Sequence, residues 1–116
     1  MLKTALLVGL GGFSGTVLRF LIGTVAKTNF FPVTLFINLA GSFLLGMIMG
    51  AAWKNEQWKL ILAAGFCGGF TTFSAFSMEN FLLFEKGKIV LATLYILASV
   101  AGGVFSAWLG YKLIHK

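Results

Sequence analysis

Four apolar runs, each long enough to cross a bilayer, take up nearly the whole sequence and leave little chain between them. They extend from about Thr4 to Val25, Val33 to Trp53, Leu60 to Phe84 and Ile89 to Ile114. A helix needs ~20 predominantly apolar residues to span the hydrocarbon core. In lipid the backbone must satisfy its own N–H and C=O groups, so such runs are expected to be helices. Composition agrees: 59% of the 116 residues are hydrophobic, 10% are charged, and the mean hydropathy is +0.96. A soluble domain of this size has too much surface for its volume to hide that much apolar area. No stretch outside the four runs is long enough for a second domain. The expected architecture is one all-α membrane domain, residues 1–116, with four transmembrane helices.

The polar punctuation is brief. Lys27, Thr28 and Asn29 end the first run, and Pro32 suits the first turn of the second helix. Lys54, Asn55 and Glu56 form the next turn, flanked by Trp53 and Trp58 as interfacial anchors. Glu85, Lys86, Gly87 and Lys88 end the third run, and Tyr111, Lys112, His115 and Lys116 close the fourth. Connections this short make consecutive helices antiparallel neighbours. The N-terminus lacks a signal-peptide cleavage pattern and reads as a retained first helix. The net charge of +6 comes from lysines at helix ends, a headgroup-anchoring pattern rather than a nucleic-acid one. Cys67 is the single cysteine and reads as a small core residue.

Both termini fall on one side. That side carries Lys3, Lys54, Lys59, Lys112 and Lys116, and the other carries Lys27, Lys86 and Lys88. So small a bias under the positive-inside rule is compatible with insertion in both orientations, or with both termini in the cytoplasm. Gly11-x3-Gly15 and Gly46-x3-Gly50 each put small residues on one helix face, where a second backbone can approach. A bundle of four helices fills its own centre, so an ion path calls for an oligomer.

Ionisable residues inside membrane segments are costly and point to function. Two lie well inside, Arg19 and Glu79. Arg19 reads either as a structural anchor reaching the interface or as a positive potential favouring anions. Glu79 reads either as a carboxylate in an aqueous vestibule or as a solvated helix-end group. Asn38 sits mid-helix with Thr34 and Ser42 one turn to either side, all on one face. Its amide offers two N–H donors. Spacing alone favours interhelical hydrogen bonding for it.

Residues 68–77, GGFTTFSAFS, interrupt the third run near its middle. Gly68 and Gly69 lower the cost of unwinding, and hydroxyls can satisfy freed backbone groups. A break over Gly68 to Thr71 is expected, with helix resuming from Thr72 to Ser77. Non-helical backbone at membrane depth meets ions in transporters, carbonyls facing cations and helix N-termini facing anions. Phe73 and Phe76 share a face after the break. A phenyl ring carries a positive edge and a negative face, so ring edges can meet an anion. Packing is the simpler reading for such a pair.

The whole chain resembles the Fluc (CrcB-type) fluoride channels. GGFSGTVLRF (11–20) is similar to the family's first-helix glycine-and-arginine motif, TLFINLAGSFLLG (34–46) to its second-helix Asn motif, and GFCGGFTTFSAFSME (65–79) to its third-helix signature. The last is the most specific. The resemblance implies a dual-topology antiparallel homodimer, with the third helix broken and two fluoride pores between the protomers. It implies that Phe73 and Phe76 present ring edges along each pore and that Asn38 donates to fluoride. It implies a structural sodium ion on the dimer axis, held by the carbonyls of Gly68 and Thr71. Thr34, Ser74, Glu79 and Arg19 fall on matching motif positions. Tyr95 and Ser99 match the start of a polar track on the fourth helix. One turn further the chain departs from the family with Gly103, which has no hydroxyl; the next hydroxyl is Ser106.

Fluoride is small and strongly hydrated, so a pore must replace its water with strong donors yet bind weakly enough to release it. Asn, Ser and Thr donors and aromatic edges do this without a trapping cation. The expected activity is passive fluoride export across the cytoplasmic membrane, conferring fluoride resistance. A small dual-topology multidrug exporter is the alternative. Proton-coupled exporters of that kind need a carboxylate in the first helix, where this chain has Arg19. A membrane interaction or lysis protein would leave Asn38 and the Phe pair without a task. No catalytic constellation or metal-ligand spacing supports an enzyme.

Overall fold

The computed structural model describes residues 1–26 and 31–115. The expected turn at Lys27, Thr28 and Asn29, and the terminal Lys116, lie outside the described residues. The described chain is helical, without strands. Helix α1 spans Leu2–Val25 and α2 spans Phe31–Gly50. The third crossing is composite: α3 (Glu56–Leu60), a π-helical segment (Ile61–Cys67), α4 (Gly68–Phe70) and α5 (Phe73–Glu85). Helix α6 spans Ile89–Ile114. Among the described residues, four helical runs are long and apolar enough to cross a membrane, the third being Glu56–Glu85. The protein is a multi-pass membrane protein.

The elements pack in two glycine-lined seams. Helix α2 lies along α6, while α1 lies along the π-helical segment and α4; α5 contacts α6 and α2. In the first seam a Cβ on Gly46 would overlap the carbonyl of Ala107, and one on Gly110 the carbonyl of Phe43. A Cβ on Gly50 would lie 2.8 Å from the Tyr111 carbonyl oxygen. In the second seam a Cβ on Gly15 would sit 2.7 Å from the Phe70 nitrogen, and one on Gly65 2.7 Å from the Val8 carbonyl oxygen. Gly69 faces the Gly12 carbonyl just as closely. Both small-x3-small motifs therefore meet a helix of their own protomer, bringing backbones into contact where lipid offers no hydrophobic drive.

Outside the seams the surface is apolar. Leu6, Leu10, Phe13 and Phe20 of α1, and Leu94, Leu97, Val104 and Phe105 of α6, are exposed. The buried set is small: Ile37, Ile48, Cys67, Phe70, Ala92 and Tyr95, with the polar Thr34, Thr72 and Asn80 among them.

Three boundaries differ from expectation. Helix α2 stops at Gly50, short of Trp53. The Trp53 indole folds back and donates to the Ile48 carbonyl at 2.7 Å, satisfying a C-terminal acceptor. The third crossing begins at Glu56 rather than Leu60, because Asn55 caps it: its side chain accepts from the Gln57 N–H at 2.9 Å. The non-helical residues are Thr71 and Thr72 rather than Gly68 to Thr71. Gly68 keeps helical angles (φ −62, ψ −36), while Thr71 (φ −78, ψ 155) and Thr72 (φ −142, ψ 115) are extended. Gly69 serves close approach to α1 instead of unwinding.

The turn into α6 is locally encoded. Gly87 adopts φ +75, Lys88 N–H reaches the Leu83 carbonyl at 2.8 Å and Gly87 N–H the Phe84 carbonyl at 3.0 Å. This pair of bonds is a Schellman cap, which needs a residue free to take a left-handed conformation.

Candidate functional site

Two extended residues between α4 and α5 remove their neighbours from the helical hydrogen-bond ladder, and inside a membrane each freed group needs a partner. Most are met by side chains. Thr72 caps α5, its hydroxyl accepting from Ala75 N–H at 3.1 Å. Thr71 turns back on α4: its N–H and its hydroxyl both donate to the Cys67 carbonyl, at 3.0 and 2.9 Å. Asn38 crosses from α2 and bonds Thr72 twice. Its Nδ2 donates to the Thr72 carbonyl at 3.1 Å, and the Thr72 N–H donates to its Oδ1 at 2.8 Å. From α1, Thr16 Oγ1 and Arg19 Nε both donate to the Gly69 carbonyl at 3.3 Å. Outside the helical ladder, the carbonyls of Gly68, Phe70 and Thr71 receive no hydrogen bond among the described residues.

Beside this interruption lies an open cleft of about 330 Å³. Asn38, Gly68, Thr71, Phe73, Phe76 and Ser99, all singled out in the sequence, line it, joined by Ser42, Cys67, Thr72 and Gly103. Phe73 and Phe76 stand with ring centroids 5.7 Å apart and planes 42° apart. Phe73 is 79% exposed in the protomer, a large apolar ring at the open side. The Ser99 hydroxyl is buried in the cleft wall and has no hydrogen-bond partner among the described residues. Gly103 leaves the next turn of α6 without a hydroxyl there, and Ser106 is not in the cleft wall.

A second cluster adjoins the cleft through Phe76, whose ring meets Tyr95 edge-on (5.2 Å, 74°). Tyr95 and Thr34 each donate to a different oxygen of Glu79, both at 2.6 Å. Both are short for O–H···O hydrogen bonds. Thr34, Glu79 and Tyr95 thus come from three elements, α2, α5 and α6, and meet as one hydrogen-bonded unit. Arg19 donates from Nε to the Gly69 carbonyl of α4. Ser74 is outside the cleft wall, its hydroxyl 3.2 Å from that of Thr72.

Sequence reasoning missed three participants. Thr72 was expected inside the resumed helix, yet it is the cap and the partner of Asn38; a hydroxyl three residues before Ala75 is the signal that marks it. Thr16 and Asn80 carry no such signal. Asn80 is buried on α5 and donates to the Phe76 carbonyl at 2.9 Å, leaving its Oδ1 without a partner.

Residues 6–111 match the family described as "CrcB-like protein, Camphor Resistance (CrcB)". Curated relatives match over nearly their full length. A protein of Azobacteroides pseudotrichonymphae genomovar. CFP2 named "Fluoride-specific ion channel FluC" is 43% identical, covering 97% of this chain and 97% of its own. One of Chlorobium phaeobacteroides (strain BS1) with the same name is 44% identical, covering 93% and 90%. One of Campylobacter jejuni subsp. jejuni serotype O:23/36 (strain 81-176), again so named, is 42% identical, covering 97% and 98%.

Proposed function

The chain belongs to the CrcB family, and on that footing we propose that it is a fluoride channel. Relatives named fluoride-specific ion channels match nearly its full length. A channel, not an enzyme, is the role the family supports. The observation that carries the reading is the cleft: one wall brings together the Asn38 amide, the Thr72 hydroxyl and the paired Phe73 and Phe76 rings beside an interrupted crossing. These are neutral donors and positive ring edges, suited to a dehydrated anion that must also leave.

In the finer reading, the working unit is a dual-topology antiparallel homodimer with two pores. The open side of the cleft and the exposed Phe73 ring support a second copy closing it. The channel exports fluoride passively across the cytoplasmic membrane and so confers fluoride resistance. Fluoride enters cells as HF and dissociates inside, so exit down its gradient needs no coupled energy source.

A structural sodium ion on the dimer axis belongs to the same reading. The residues present fit it: Gly68 and Thr71 offer carbonyl oxygens that, outside the helical ladder, take no hydrogen bond among the described residues, and Gly68 is exposed on the protomer surface. Carbonyl oxygens suit a hard cation. When bound, the ion would add positive potential near the anion path. Asn38 holds the Thr72 backbone in place beside those carbonyls.

The test is fluoride efflux from proteoliposomes containing the purified protein. Wild-type protein is expected to release fluoride and Phe73→Ile to lose that flux; equal flux from both would remove Phe73 from the path.

A further inference from the structure

The interruption frees a run of carbonyls, and α1 takes one of them. Gly69 O sits where α4 stops, so no helical N–H follows to meet it. Thr16 Oγ1 and Arg19 Nε donate to it, both at 3.3 Å, from one face of α1, and the Gly15 seam holds that face against α4. Neighbouring carbonyls on either side, Gly68 and Phe70, receive no such donor. One carbonyl is thus held by α1, while Gly68 and Thr71 are among the residues that line the cleft.

We propose that Thr16 and Arg19 are a positioning pair: by holding the Gly69 carbonyl they fix the C-terminal end of α4 and determine which carbonyls remain for a cation. Two donors on one carbonyl resist rotation of the Gly69 peptide. Without them that peptide is free to tilt, and the same tilt moves the Gly68 and Thr71 oxygens. Arg19 acts here through the Nε–H of its guanidinium. The cation half of the inference rests on the proposed channel reading; the positioning half does not.

The experiment pairs two readouts on the full chain in lipid nanodiscs and proteoliposomes. The first is hydrogen–deuterium exchange of the amides from Thr71 to Ala75. The second is the sodium concentration giving half-maximal fluoride efflux. Thr16→Val deletes one donor at an exposed site and preserves shape, so it remains informative if Arg19→Leu fails to fold. Thr16→Val is expected to raise exchange at these amides at least tenfold and to raise the sodium requirement at least tenfold. Thr16→Ser keeps the hydroxyl and stays within threefold of wild type in both. Unchanged exchange in Thr16→Val overturns the positioning role, whatever the ion. Faster exchange with an unchanged sodium requirement overturns the cation half alone. Wild-type protein that conducts no fluoride would overturn the channel reading and leave the exchange result to decide the positioning pair.

Discussion

Asn38 and Thr72 form a two-bond bridge between α2 and the interrupted crossing, with the amide nitrogen on the Thr72 carbonyl at 3.1 Å and the Thr72 N–H on the amide oxygen at 2.8 Å. A side-chain amide carries both an N–H donor and a carbonyl acceptor, so it can replace both halves of a peptide's helical partners at once. Asn38 therefore has a structural task.

Asn38→Asp tests that double role. A carboxylate accepts from the Thr72 N–H but has no N–H for the Thr72 carbonyl, and it sets a negative charge in the path of an anion. Fluoride efflux measured with a fluoride electrode is expected to fall by at least a hundredfold. Efflux at wild-type rates would show that neither the bridge nor the donor matters to conduction.

Tyr95→Phe separates the ring from the hydroxyl. The edge contact with Phe76 persists, while Glu79 loses a 2.6 Å hydrogen bond. Leaving a buried acceptor without its donor costs about 1–3 kcal/mol. Stability in a reversible detergent-unfolding assay is expected to drop by that order, and Thr34→Val should behave similarly because it serves the other Glu79 oxygen. No change in either variant would mean that Glu79 does not tie α2, α5 and α6 together.

The glycines divide by what surrounds them. A Cβ on Gly46 would overlap the Ala107 carbonyl, whereas one on Gly9 meets nothing within 4 Å. Overpacking costs typically about 1–3 kcal/mol, while replacing an unconstrained helical glycine by alanine gains about 0.5–1 kcal/mol. Gly46→Ala should lower the thermal midpoint and Gly9→Ala should hold or raise it. A reversed order would refute the seam between α2 and α6.

The crossings were legible in sequence because lipid imposes a long apolar run on every spanning helix, and Ile89–Ile114 reads off directly. Ends were less legible: Trp53, expected at the end of the second helix, lies beyond Gly50 and donates back to the Ile48 carbonyl. The interruption was visible as glycine and hydroxyl content but misplaced towards the glycines. Gly69 is small because α1 approaches it, a tertiary reason no local pattern carries. Asn38, Phe73 and Phe76 stood out as unusual residues for lipid. The partners Thr72 and Thr16 did not, because a threonine in a membrane helix is unremarked until its neighbour is known. The pairing of Thr34, Glu79 and Tyr95 required three separate elements to be folded together.

The proposed sodium site at the Gly68 and Thr71 carbonyls predicts a sodium-dependent flux. Replacing sodium by N-methylglucamine throughout is expected to abolish fluoride efflux and to weaken the dimer, seen as monomer on size exclusion. Full flux in rigorously sodium-free buffer would sink the structural ion.

The central claim is fluoride conduction, and its most direct measurement is fluoride against chloride efflux from proteoliposomes of the wild-type protein, with a potassium ionophore to carry the balancing charge. The expected result is rapid fluoride release with chloride retained. Equal release of both anions, or of neither, would contradict it.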